Sequence, residues 1–171
     1  DNDKLAEKMA MICNHGSRIK YNHEVVGVNS RLDSIQAAVL GIKLKKLDFY
    51  SDSRYKSAKL YSSELKNVNW IETPLEENYS NHVYHQYTIK VLNERRDELR
   101  EYLKSKNIPS MIYYPKPLHK QKAFTGYSEG RFYNSDKLNS KVLSLPMHTE
   151  LSDEIIFYIT NSIKSFLWKY P

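Results

Sequence analysis

The chain reads as an α/β protein: a small sheet of a few strands with helices on one face, preceded by a long bridging helix. Three observations predict this. His82–Leu92 alternates as a strand does, with Val83, His85, Tyr87, Ile89 and Val91 on one side. An amphipathic helix, Glu94–Lys106, follows directly, with Leu99, Tyr102 and Leu103 as its inward positions. Upstream, helical patterning runs from Leu32 to Lys66 with a kink near Phe49–Ser53. That is long for a globular helix and suits an element joining two domains.

The remaining elements follow in order. Asp3–Asn14 is predicted helical and stopped by Asn14-His15-Gly16. Ser17–Ser30 is a polar, irregular connection of the length usually reserved for functional loops. Leu32, Ile35, Val39, Ile42 and Leu47 form an apolar stripe expected to be buried, and Asp33 and Ser34 suit the unpaired N–H groups where that helix begins. After the amphipathic helix, Ser110–Tyr113 reads as a short strand and Tyr114–Pro117 as a proline-fixed turn. Tyr133–Lys141 is a helix and Val142–Leu145 a short strand. Ser152-Asp153-Glu154 then starts a last helix reaching about Trp168.

Composition narrows the function. At 171 residues, 40% hydrophobic and 27% charged, the chain can bury a real core and is not a disordered tail. No apolar run approaches the ~20 residues needed to span a bilayer, and no signal peptide opens the chain, so no membrane role is expected. The single cysteine, Cys13, excludes an internal disulfide and fits a reducing cytoplasm; its apolar surroundings read as a buried structural thiol. The net charge of +6 permits an anionic partner. Basic residues are interleaved with acids, as in Asn93–Arg100, which is the pattern of a solvated helix face rather than a phosphate track. The strand has only Lys90 as a basic residue, too few for a nucleic-acid stacking platform. Tyr87, Tyr102 and Tyr158 read as packing residues with edge hydroxyls.

Catalytic signals of the simpler kinds are missing. His82 and His85 would fall on opposite faces of a strand, with no carboxylate or thiol at metal-site spacing, so no metal is expected; His85 reads as a strand histidine hydrogen-bonded at the domain edge. No serine stands in a nucleophile-elbow pattern, and no GxGxxG or P-loop occurs.

The stretch Gly27–Ala38 is different. Asn29 and Arg31, two apart in an extended segment, point to the same side, and both can bind phosphate. By spacing alone they are equally a plain loop, with Arg31 paired to an acid such as Asp33.

Together with His15-Gly16, Tyr21-Asn22-His23, Tyr84–Tyr87, Tyr113-Tyr114-Pro115-Lys116-Pro117-Leu118-His119 and Leu143–His148, this stretch resembles the pyridoxal-phosphate (PLP) sugar-nucleotide aminotransferases of the DegT/DnrJ type. The blocks occur in that family's order and spacing. The resemblance implies the C-terminal portion of a fold-type-I enzyme, because family members run to roughly twice this length. Their Schiff-base lysine precedes the segment that Asp1 opens, so no catalytic lysine is expected here. Residues 1–48 would close the large domain, carrying the active-site loop and the start of the bridging helix; residues 49–171 would form the small α/β domain.

The resemblance also assigns roles. Asn29 would hold the cofactor phosphate of the neighbouring subunit in a homodimer whose active site is shared across the interface. Arg31 offers a fork for a pyrophosphate or carboxylate. Arg18, Lys20, Tyr21 and His23 would lie near the partner's substrate, though each is equally readable as surface. Tyr113 and Tyr114 would touch the sugar; Tyr113 stands where some relatives have histidine, and a phenol will not titrate near neutrality. His119 is either structural support or a substrate contact. The implied partners are a nucleotide sugar and an amino-acid donor, usually glutamate. The implied product is a 3-amino derivative of a UDP-linked N-acetyl sugar or uronic acid for bacterial surface polysaccharide. The competing reading keeps the fold as a stand-alone, non-catalytic interaction or vestigial domain.

Overall fold

The computed structural model describes residues 1–124, 126 and 130–169, with side chains through Phe166. It divides into two compact units, Asp1–Leu47 and Asp48–Pro171.

In the first unit, α1 (Asp3–Cys13) is capped by the Asn2 side chain, which accepts from the Leu5 N–H at 3.1 Å, and it ends at Asn14. His15 and Gly16 then take left-handed backbone, φ 58° and 75°. The connection is more ordered than its polar sequence predicts. Within it β1 (Ser17–Ile19) and β2 (Asn22–His23) pair antiparallel, turned by Tyr21 at φ 70°. The chain then returns along the end of α1: His15 N–H donates to Val28 O, Val28 N–H to Ile12 O and Ser30 N–H to Cys13 O, at 2.9 to 3.0 Å. α2 (Ser34–Leu44) follows, its first turn capped by Asp33.

Two expectations fail here. The long helix breaks at Lys45–Lys46, earlier than Phe49–Ser53, and resumes as α3 (Leu47–Leu65). The apolar stripe is exposed: Ile35 79%, Ile42 70%, Leu32 62%. Met11 is the only buried apolar side chain of this unit among the described residues, so the unit has no core of its own to cover α2. Cys13 is half-buried rather than enclosed.

The second unit holds the core. β3 (Ile71–Glu72), β4 (Tyr87–Val91) and β5 (Val142–Leu145) form an antiparallel sheet in the order β3-β4-β5, with Ile71 opposite Val91 and Ile89 opposite Leu143. Tyr87, Ile89 and Val91 are fully buried on one face, as their alternation predicts. On that face lie α3 (Ala58, Tyr61, Leu65), α4 (Arg96–Ser105; Leu99, Leu103) and α6 (Asp153–Lys169; Ile156, Ile159, Ile163, Phe166). Removing any of these large side chains to alanine costs about 2–5 kcal/mol. Tyr61 stacks on Tyr87 at 4.9 Å, and burial raises both hydroxyl pKa values, that of Tyr87 to about 12. The Ser152 hydroxyl accepts from Ile155 N–H at 3.4 Å, the expected cap of the last helix.

The strand is shorter than its pattern. Residues 82–86 leave it because Tyr84 adopts φ 46° and turns inward, 2% exposed. His85 is therefore an exposed loop residue, not a strand histidine. Ser110–Tyr113 makes only an isolated bridge, Met111 to Ser144. Tyr158 is half exposed, its hydroxyl donating to Lys106 O at 3.0 Å.

Candidate functional site

The first unit builds its site from a backbone crossing. A Cβ on Gly16 would lie 1.7 Å from Val25 O, and one on Gly27 2.1 Å from Gly16 N, so only glycine permits the two segments to meet. His23 clasps the same crossing. Its Nδ1 lies 2.8 Å from the His15 carbonyl, which requires a proton on that nitrogen, and 2.8 Å from Ser17 Oγ.

The clasped loop delivers Asn29 opposite Asn14 and Arg31 just before α2. Arg31 Nε donates to Asn29 Oδ1 at 3.1 Å. Asp33 is not Arg31's partner: its carboxylate accepts from Gln36 N–H at 2.9 Å as the helix cap. The bond orients the Asn29 amide so that its oxygen is used and its NH₂ remains the donor, beside a guanidinium with further N–H groups. Both residues are exposed. An amide donor and a cationic fork side by side suit phosphate oxygens without any rearrangement of the loop.

The other loop residues are divided. Arg18 stands 3.7 Å from Glu24 and 3.8 Å from Glu7, an exposed pair of contacts. Tyr21 is 83% exposed at the hairpin tip, with the Lys20 ammonium 5.0 Å from its ring centroid. Of this group, only His23 is held in a fixed orientation by hydrogen bonds to its ring.

In the second unit Tyr113, Tyr114 and His119 line one cavity of about 690 Å³, with Phe132, Leu138 and Asn139 on its other wall. His119 stacks on Phe132 at 4.6 Å, and its Nε2 lies 2.9 Å from the Asp136 carboxylate. Lys120 also reaches that carboxylate, at 2.7 Å. These two contacts, Lys120 first, hold Asp136 below the ordinary carboxylate range. The Tyr113 and Tyr114 rings meet edge-on at 6.0 Å. The lining combines aromatic faces with phenol and amide groups and Lys116, a chemistry suited to a sugar or a planar base carrying an anionic group.

Phe132, Asp136 and Asn139 were invisible to sequence reasoning, since they act across 13 to 25 residues of intervening chain. Among the described residues no group of three His, Cys, Asp or Glu stands close enough to hold a metal ion, and no helix is long and apolar enough to cross a membrane.

Residues 1–164 match the DegT/DnrJ/EryC1/StrS aminotransferase family. The chain is 43% identical over 170 residues to a Geobacillus stearothermophilus protein named pleiotropic regulatory protein, covering 97% of this chain and 45% of the relative. It is 37% identical to a UDP-N-acetyl-3-dehydro-alpha-D-glucosamine 3-aminotransferase of Acidithiobacillus ferrooxidans, covering 96% and 44%. The crystal structure of S. venezuelae DesV in complex with a ketimine intermediate superposes with a TM-score of 0.88 at 35% identity, over 99% of this chain and 45% of that one. The chain thus spans under half the length of the relatives it matches.

Proposed function

The chain belongs to the DegT/DnrJ/EryC1/StrS aminotransferase family, and from that premise we propose that it works as the C-terminal portion of a cytoplasmic, PLP-dependent nucleotide-sugar aminotransferase. The observation that carries this reading is the Asn29–Arg31 pair, an amide and a guanidinium presented together on a loop pinned by Gly16, Gly27 and His23.

The residues present fit the phosphate end of PLP. The Asn29 NH₂ would donate to a phosphate oxygen of the partner subunit's cofactor in a homodimer, and Arg31, while holding the amide in place through Nε, would offer its remaining N–H groups to the pyrophosphate of the substrate. PLP, when bound, supplies the electron sink that makes amino-group transfer feasible. The lysine that carries it is assigned to the portion of such enzymes that this chain does not span. Residues 1–48 would complete the large domain and its partner's site, and residues 49–171 would form the small domain.

Tyr113 and Tyr114 would orient the sugar through phenol hydrogen bonds and ring contact. His119, held by Asp136 and Phe132, would close the same cavity. Arg18, Tyr21 and His23 would flank the nucleotide on the partner's side. For substrate we favour a UDP-linked 3-keto N-acetyl sugar or uronic acid aminated at the expense of glutamate, for surface polysaccharide. The similarity to the Acidithiobacillus enzyme supports it.

The test is a pair of half-reactions. Full-length protein purified with PLP should lose its visible absorbance band on addition of glutamate. It should regain the band with a UDP-linked 3-keto-N-acetyl sugar and not with a dTDP-linked 4-keto sugar. No response to glutamate would contradict aminotransferase function; recovery with the dTDP sugar alone would contradict the substrate.

A further inference from the structure

The turn Tyr113–Pro117 is tied down at three points. At its entry the backbones of Met111 and Ser144 exchange two hydrogen bonds, 3.0 and 2.7 Å. Near its exit Gln121 Nε2 donates to Lys116 O at 3.1 Å. At its centre the bond comes from outside the segment: Asn139 Nδ2, at the end of α5 (Tyr133–Asn139), donates to Tyr114 O at 2.8 Å.

Asn139 is itself fixed. Its carbonyl accepts from Arg96 Nη1 at 3.0 Å, and the same nitrogen donates to Val142 O at 3.0 Å. Arg96 is only 8% exposed, and its Nε is paired with Asp97 at 2.7 Å. One buried guanidinium thereby locks the end of α5 to the start of β5, and α5 in turn holds the Tyr114 backbone.

The central bond lies on an exposed turn. Tyr114 is 72% exposed, and water would solvate a carbonyl on such a turn. What the bond fixes is position: it sets the Tyr113–Tyr114 turn against the wall formed by Phe132, Leu138 and Asn139 and so defines the cavity between them.

We propose that Asn139, braced by Arg96, is a positioning residue for nucleotide-sugar binding, acting through the Tyr114 carbonyl. This rests on the function proposed above. Its side-chain amide donor, rather than its bulk, carries the effect.

The test compares Asn139→Asp, which keeps the size and removes the donor, with Asn139→Gln, which keeps the donor, in the full-length protein. UDP-N-acetylglucosamine and dTDP-glucose are titrated calorimetrically, and the glutamate half-reaction is followed in parallel. Asn139→Asp should bind the nucleotide sugars about five- to tenfold more weakly, the size of one lost hydrogen bond. Asn139→Gln should recover most of that affinity, and the loss in Asn139→Asp should be larger for the nucleotide sugars than for the glutamate half-reaction. Equal losses in Asp and Gln, unchanged nucleotide-sugar affinity in Asp, or a matching loss in the glutamate reaction would overturn the assignment. Wild-type protein that binds neither nucleotide sugar but reacts with glutamate would overturn it while leaving the aminotransferase function standing.

Discussion

Gly16 and Gly27 touch backbone to backbone: a Cβ built on Gly27 would stand 2.1 Å from the nitrogen of Gly16. The crossing sets where the chain turns back along α1 and so where Asn29 emerges. Gly27→Ala should force the segments apart and destabilise the unit by about 2 kcal/mol or more. The His15, Val28 and Ser30 amides, each donated across the crossing, should exchange hydrogen faster. Gly41, in mid-helix with open space around its Cα, provides the contrast. Gly41→Ala in this chain should stabilise α2 by about 0.5–1 kcal/mol.

Asp33 has a separate task from its neighbour Arg31. Because its carboxylate caps α2 through Gln36 N–H, Asp33→Ala should cost about 1 kcal/mol and Asp33→Asn much less. Denaturant midpoints of the two variants check this. Equal losses would mean that charge, and not the cap, is what matters.

Glu76 gives the second unit a pH window. Its carboxylate accepts from Lys59 at 2.8 Å and from Tyr55 at 2.7 Å, and these bonds hold its pKa below the ordinary value, Lys59 first. Since the folded state keeps this group charged, its stabilisation is present above the unfolded pKa and is lost as pH falls through the folded one. Lys59 is raised by the same contact, so its share is lost only as pH rises through its own folded value. The melting temperature of wild type should exceed that of Glu76→Gln most near neutrality, and the gap should close in acid. A constant gap from about pH 3 to pH 8 would contradict it.

Arg31 orients Asn29 by a single bond, so removing it should blur the site without emptying it. Arg31→Ala should raise KM for the nucleotide sugar about ten- to a hundredfold, a charge-assisted contact being worth about 1.5–3 kcal/mol. It should lower PLP retention less than Asn29→Ala does. Steady-state kinetics and equilibrium dialysis of PLP separate the two effects.

What the sequence disclosed depended on range. Helix starts at Asp33 and Ser152 were legible because capping is written within three residues. The alternation of Tyr87, Ile89 and Val91 was legible because burial on one sheet face repeats every second residue. The β1–β2 hairpin was not, since its turn uses Tyr21 at positive φ where an Asn-Gly or Asp-Gly signal would be expected. The helix break at Lys45–Lys46 carries neither glycine nor proline to announce it. The stripe on α2 was recognised as apolar, but periodicity cannot say what covers a face, and among the described residues nothing does.

The site divides the same way. Asn29 and Arg31 are two residues apart, and their chemistry could be read directly. The bond of Asn139 to Tyr114 spans 25 residues and that of Arg96 to Val142 spans 46, distances at which no local pattern informs.

The central claim is that Asn29 serves the partner's active site, and subunit mixing tests it most directly. A full-length variant lacking the cofactor-bearing lysine is combined with full-length Asn29→Ala, and PLP-dependent turnover is measured after subunit exchange. Each parent should be nearly inactive, whereas the mixture should recover about a quarter of the wild-type sites. Half the dimers are then mixed, and each of these holds one complete site. No recovery from two inactive parents, or full PLP retention by Asn29→Ala alone, would contradict the claim.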